Sequence, residues 1–275
     1  MKTPPSIRPA LVGLSVVAAS ILAAPTAHAY TVGDAFNFDW NAMSLAQQPL
    51  KRAQEHERQL KKQRRKAEQA KRNASGNNRA PNQDMSKNTQ TAQALDTRVA
   101  EYRASSALSA QIHQQIIDAV AANARKNGSV DANSEQQLRD ALGQIELATI
   151  AEAMQSQGLP PNNLASAAAY WLIANYEIIR DESISEAQTR AVFEQMQQRI
   201  ASDPDNADLT DAEKQQTAES TIWIATLQYM HYMEARNNTP GNDMRAVKAD
   251  ARQSLQQYGI NADRMQLTAQ GLILR

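Results

Sequence analysis

Two stretches of this chain have no polar face, and that limits what it can fold into. Residues 167–179 read Ala-Ala-Ala-Tyr-Trp-Leu-Ile-Ala-Asn-Tyr-Glu-Ile-Ile, and residues 222–233 read Ile-Trp-Ile-Ala-Thr-Leu-Gln-Tyr-Met-His-Tyr-Met. A helix that is apolar nearly all round must be covered on several sides. Each stretch carries a tryptophan, Trp171 or Trp223, followed by further aromatics. They are expected to pack together as the centre of a domain, with thinner-striped helices around them.

Those outer helices are visible in the spacing. Leu108, Ile112, Ile116 and Val120 recur every four residues, with Leu95, Val99 and Tyr102 extending the face upstream and Gly128 ending it. Ser134 with Gln137 reads as a capping box that opens a second helix through Leu138, Leu142 and Ile145, stopped by Gly158-Leu159-Pro160-Pro161. Asn162 or Asn163 caps a third helix running to about Arg180. Ser185 with Gln188 opens a fourth, and Thr210 with Glu213 opens a fifth that runs to about Arg236. A sixth carries Met244, Val247, Ala251 and Leu255 before Gly259, where a left-handed cap belongs. A last short element is expected over residues 262–270. No extended alternating run of β-branched residues interrupts this pattern. The fold class is all-α, a compact bundle of about six helices around two apolar central ones.

The residues before the bundle divide into four segments. Residues 1–29 place Lys2 and Arg8 ahead of an apolar run from Ala10 to Ala24 and end on Ala27-His28-Ala29, the order of a secretory signal peptide. The apolar run is shorter than a bilayer span needs, so cleavage after Ala29 is expected. Residues 30–49 alternate Phe36, Phe38 and Trp40 with polar residues. Residues 50–72 form a basic, partly helical arm. Residues 73–93 are rich in Asn, Gln, Ser and Thr, a composition that cannot bury enough apolar area to offset the entropy of ordering. The helical domain then takes residues 94–275.

Charge is distributed unevenly along the mature chain. Lys51, Arg52, Arg58, Lys61, Lys62, Arg64, Arg65, Lys66, Lys71 and Arg72 are opposed only by Glu55, Glu57 and Glu68, a local net of +7. From Asn73 onward 17 basic residues face 24 acidic ones, a net of −7. A basic arm on an acidic body suits an anionic surface such as lipid headgroups or envelope polymer, or the body itself, although many such runs are simply solvated. Sequence-specific nucleic-acid reading is not expected, because no aromatic is interleaved for base stacking. The leader implies export to the periplasm or the outside medium. No apolar stretch after it is long enough to span a membrane, and there is no cysteine for a disulfide, a lipid anchor or a nucleophile.

Chemical motifs are sparse. His56-Glu57-Arg58-Gln59-Leu60 starts like a zinc-protease helix but lacks the second histidine. Asp203, Asp205, Asp208 and Asp211 invite a calcium reading, yet Asp208 stands where an EF-hand needs glycine and Lys214 where it needs a bidentate glutamate. This stretch reads instead as an acidic loop capping the fifth helix. No cofactor or metal is expected. The polar residues of most interest lie inside the apolar helices: Glu177 in the first, His231 and Glu234 one turn apart in the second. Brought into one dry pocket, a carboxylate and an imidazole would serve as acid and base. Otherwise Glu177 pairs near Arg180 at the surface and His231 hydrogen-bonds locally.

The Tyr170-Trp171-Leu172-Ile173 helix and the closing residues from Tyr258-Gly259-Ile260 to Leu267-Thr268-Ala269-Gln270-Gly271 resemble uncharacterised exported helical proteins of Gram-negative bacteria, over residues 92–275 at most. That resemblance implies a leader, a polar linker and a helical domain, with neither substrate nor site. Three functions stay open: a non-enzymatic envelope-associated or protein-interaction module, a small helical hydrolase or metal-binding enzyme using Glu177, His231 and Glu234, and a binder of anionic polymer or lipid through the arm.

Overall fold

A computed structural model of the chain describes residues 95–275 other than Asn127, Ser129 and Pro240. The leader, the aromatic segment, the basic arm and the linker fall outside the described residues. Within them the chain is mainly helical, with eight α-helices. These are α1 (Ser106–Lys126), α2 (Ala132–Gly143), α3 (Leu147–Ser156), α4 (Leu164–Arg180), α5 (Glu186–Ser202), α6 (Pro204–Ala207), α7 (Asp211–Arg236) and α8 (Met244–Gln257). A 3-10 turn, Thr97–Ala100, precedes them. A second 3-10 turn, Ala262–Arg264, leads into a hairpin of β1 (Met265–Thr268) and β2 (Gly271–Leu274).

The caps explain where most helices begin. Asn163 Oδ1 accepts from the N–H groups of Ala165 and Ser166, starting α4. Ser185 with Gln188 and Thr210 with Glu213 form the two reciprocal capping boxes read from the sequence, opening α5 and α7. Gly259 takes a positive φ of 73° after α8. Asp181, a non-glycine residue at φ 55°, ends α4 in the left-handed region.

Three expectations are corrected. The run from Leu95 to Tyr102 does not extend α1: a 3-10 turn and then extended chain occupy it, with the Tyr102 N–H donating to Asn162 O at 3.0 Å. Asp131 rather than Ser134 caps α2; its Oδ1 accepts from both the N–H and the Oγ of Ser134. The second helix is also broken in two. Between α2 and α3 the chain turns at Gln144–Glu146 so that Ile145, 3% exposed, enters the core between Leu142 and Ile150. Burial of that side chain outweighs the continuity of one longer helix.

The two apolar helices are the centre, as their composition demands. α4 and α7 have the most extensive contact in the domain, with α5 and α8 on α4, α1 and α8 on α7, and α2 on α1. Ile178 and Leu227 are fully buried, and each such side chain contributes roughly 1.5–3 kcal/mol. Trp171 and Trp223 are 8% and 1% exposed but serve different neighbours. Trp171 meets Tyr258 at the end of α8 edge to face, with ring centres 4.9 Å apart. Trp223 stacks on His113 of α1 at 4.5 Å. None of the helices among the described residues is long and apolar enough to cross a membrane.

A β-hairpin, not a helix, closes the chain. Its first strand buries Met265 and Leu267 while Gln266 points out, a two-residue period that four residues are too few to announce. A two-stranded ribbon is marginal by itself, and helix side chains hold this one. The Gln195 amide donates to Leu272 O at 2.8 Å and accepts from Leu272 N–H at 2.9 Å. Arg180 donates to Met265 O and Gln188 to Leu267 O. The fit is closest at Gly271 (φ 106°), where a Cβ would lie 3.0 Å from Gln195 Oε1 and 3.2 Å from Ala191 O. Gly271→Ala is expected to lower stability by about 1–3 kcal/mol, from strain plus loss of the Gln195 clamp. Urea unfolding measures it, and an unchanged midpoint would refute the tight docking of the hairpin on α5.

Candidate functional site

Polar groups enter the centre at three places, beginning with Glu177 on α4. It is 2% exposed, so it is not the surface residue the simpler expectation placed beside Arg180. Its Oε1 accepts the N–H of Ile184 at 2.9 Å, tying the end of α4 to the chain that enters α5. Around it stand the tyrosines of the α4–α7 contact. The Tyr170 hydroxyl meets Thr226 Oγ1 at 3.2 Å, and burial pushes Tyr170 up to about 12. Burial, then the Glu177 charge, raise Tyr229 further. The Tyr232 hydroxyl donates to Asp181 Oδ1 and receives a bond from Arg236, and burial followed by the Asp181 contact raises it as well. A cavity of about 20 Å³ lies here, lined by Tyr170, Glu177, Thr189 and Tyr229 with Met154 and Leu159. That is room on the scale of one water, not of an organic substrate.

His231 and Glu234 meet their partner elsewhere. Asn242, in the turn before α8, donates to Glu234 Oε2 at 3.5 Å and contacts His231. Burial lowers His231 to about 4, only partly opposed by the Asn242 contact, so the ring is neutral at physiological pH. Residues two apart on a helix point about 200° apart, so Tyr229, which touches Glu177, and His231 face opposite sides of α7. Glu177 thus has Ile184 and Tyr229 among its partners, and Asn242 is a partner of both His231 and Glu234. Among the described residues no group of three or more His, Cys, Asp or Glu is arranged to hold a metal ion.

The third cluster has no counterpart in the sequence reading. Gln215 is fully buried near the start of α7. Its Nε2 lies 2.8–2.9 Å from Ser105 O, Ser109 Oγ and Glu219 Oε1, while its Oε1 accepts the Ser105 N–H at 2.8 Å. Ser109 donates to Glu219 Oε1 at 2.7 Å. Ser105, Ser109 and His113 thus advance by fours opposite Gln215, Glu219 and Trp223. α1 and α7 run in the same sense, locked polar at one end and aromatic above. Burial raises the Glu219 carboxyl, with the Ser109 and Gln215 bonds pulling the other way. Burial and then the charge of Glu219 raise Tyr102. Neither Gln215 nor Glu219 was singled out in the sequence. The usable signal was their four-residue spacing in line with Trp223.

These environments fix opposite pH responses. His231 has a folded value below its unfolded one of about 6.5, so its contribution is complete above that pH. It is lost as pH falls toward 4, by up to about 3 kcal/mol. Glu219 has a raised folded value, so its contribution is complete in acid and is lost as pH rises. His231→Gln is expected to flatten the acid limb of stability between pH 6.5 and 4, and Glu219→Gln to gain on the wild type as pH rises from 4.5 toward neutrality. Chemical denaturation across that range reads both. Parallel curves for wild type and variant would contradict the assignment of that group.

Comparison with known proteins adds one finding. A model for a family of unknown function, DUF6683, matches residues 7–275. No curated protein and no solved structure matches the chain.

Proposed function

We propose that this chain, which belongs to the DUF6683 family, is an exported, envelope-associated interaction protein whose helical domain carries a basic arm. The observation that carries the reading is the charge opposition: ten basic against three acidic residues over 51–72, and a net of −7 beyond. A local charge of that size attracts anionic surfaces within a Debye length. The leader supports export. The domain supports a scaffold, because its buried carboxylates are engaged in holding elements together: Glu177 closes the α4–α5 connection and Glu219 locks α1 to α7.

Binding of the mature chain, residues 30–275, to vesicles tests the arm. Co-sedimentation with vesicles containing phosphatidylglycerol is expected at low salt and should fall steeply as salt rises, at roughly 1 kcal/mol lost per basic residue no longer engaged. Deleting residues 51–72 should abolish it, while neutral phosphatidylcholine vesicles bind neither form. Equal binding by the deleted chain would refute the role of the arm. Export is tested separately, by fractionating cells and sequencing the mature N-terminus, with Tyr30 expected first.

A further inference from the structure

Away from the buried clusters, a concavity of ligand dimensions opens on the surface. Where the end of α4 meets the 3-10 turn Ala262–Arg264 and β1, a cleft of about 400 Å³ forms between Tyr176, Arg180 and Glu182 on one side and Arg264, Gln266 and Arg275 on the other. Small-molecule sites fall in this size range. Tyr176 and Arg180 are four residues apart on α4 and so share a face, with the Arg180 guanidinium 6.0 Å from the centre of the Tyr176 ring.

The charges of the cleft do not cancel among themselves. Arg264 gives its Nε–H to the main-chain oxygen of Arg275, and the Arg275 N–H returns a bond to Arg264 O at 2.9 Å. Asp263, also on the lining, leans away toward Arg252 at 3.5 Å. Arg180, Arg264 and Arg275 thus stand against Glu182, since a bond to a main-chain oxygen does not remove the Arg264 charge. Arg180 is already held in place, since its Nη2 donates to Met265 O at 3.0 Å. A bond to a neutral carbonyl orients the guanidinium without removing its charge, so less side-chain entropy is lost when a ligand arrives.

We propose that this cleft binds a small oxyanion-bearing ligand, with a phosphate or carboxylate group held between the guanidinium groups of Arg180 and Arg275. Two forked donors meeting one anion give the short, charge-assisted bonds that select oxyanions over halides. Tyr176 supplies an aromatic floor for the body of the ligand, and Gln266 belongs to the lining as a further polar side chain. Glu182 is the opposing charge and sets an upper limit on affinity.

The test is titration of the full mature chain with inorganic phosphate or with citrate, at constant ionic strength held by chloride and followed by amide NMR. Saturable shifts at Tyr176, Gln266 and Arg275 are expected in the millimolar range. Arg275→Ala, whose side chain holds no other element in place, should weaken binding by at least about tenfold. Arg275→Lys should recover part of it, and Glu182→Gln should strengthen it. Tighter binding of phosphate than of citrate assigns the cleft to phosphorylated ligands, and the reverse order to polycarboxylates. Shifts no larger than with chloride, shifts centred elsewhere, or equal affinity in Arg275→Ala would overturn the proposal.

Discussion

A helix without a polar face leaves its few polar atoms nowhere to go but the partner helix, and this domain is organised by that requirement. α4 and α7 carry Tyr170, Asn175, Glu177, Thr226, Gln228 and Tyr229 into a core where an unpaired polar group costs on the order of 1–3 kcal/mol. The pairings that result, Tyr170 with Thr226, Asn175 with Gln228 and Glu177 with Tyr229, advance together along both helices. They allow one alignment. Apolar contact would tolerate sliding by a turn, but these polar pairs would then be broken. Greasy composition brings the two helices together and buried oxygen and nitrogen fix their register.

The same logic holds at the periphery. α1 is placed on α7 by a polar end, Ser105 and Ser109 against Gln215 and Glu219, and by an aromatic step, His113 on Trp223. α8 is placed on α4 by Tyr258 against Trp171. α1 and α8 thus each have a contact that is directional as well as apolar. Directional contacts favour a single packed arrangement over a set of near-equivalent ones.

Much of this was legible from the residues. Asn163, Ser185 with Gln188 and Thr210 with Glu213 announced their helices because capping is local chemistry, readable from three or four neighbours. The central pair was legible because all-round apolarity has one remedy. Most of what escaped depends on tertiary contact. Ile145 breaks a helix to reach the core, and the closing hairpin depends on Gln195, which lies far off in sequence; the Asp131 cap was missed although it is as local as the others. The polar residues were noticed without their partners: Glu177, His231 and Glu234 looked like a trio because all are unusual in apolar helices. Which side of α7 His231 and Glu234 face is decided by 100° steps that also govern Tyr229, the contact of Glu177. Gln215 and Glu219 were passed over for the opposite reason, since polar residues near the start of a long helix are ordinary until another helix covers them.

The Gln195 amide has a consequence for how copies of this protein behave toward one another. It occupies the outward donor and acceptor of Leu272 as a neighbouring strand would, while Arg180 and Gln188 occupy the carbonyls on the other margin. A short ribbon with vacant margins is a template onto which a second chain can add and from which fibres grow. With these side chains standing in for absent strands, recruitment of that kind has no free foothold at Leu272.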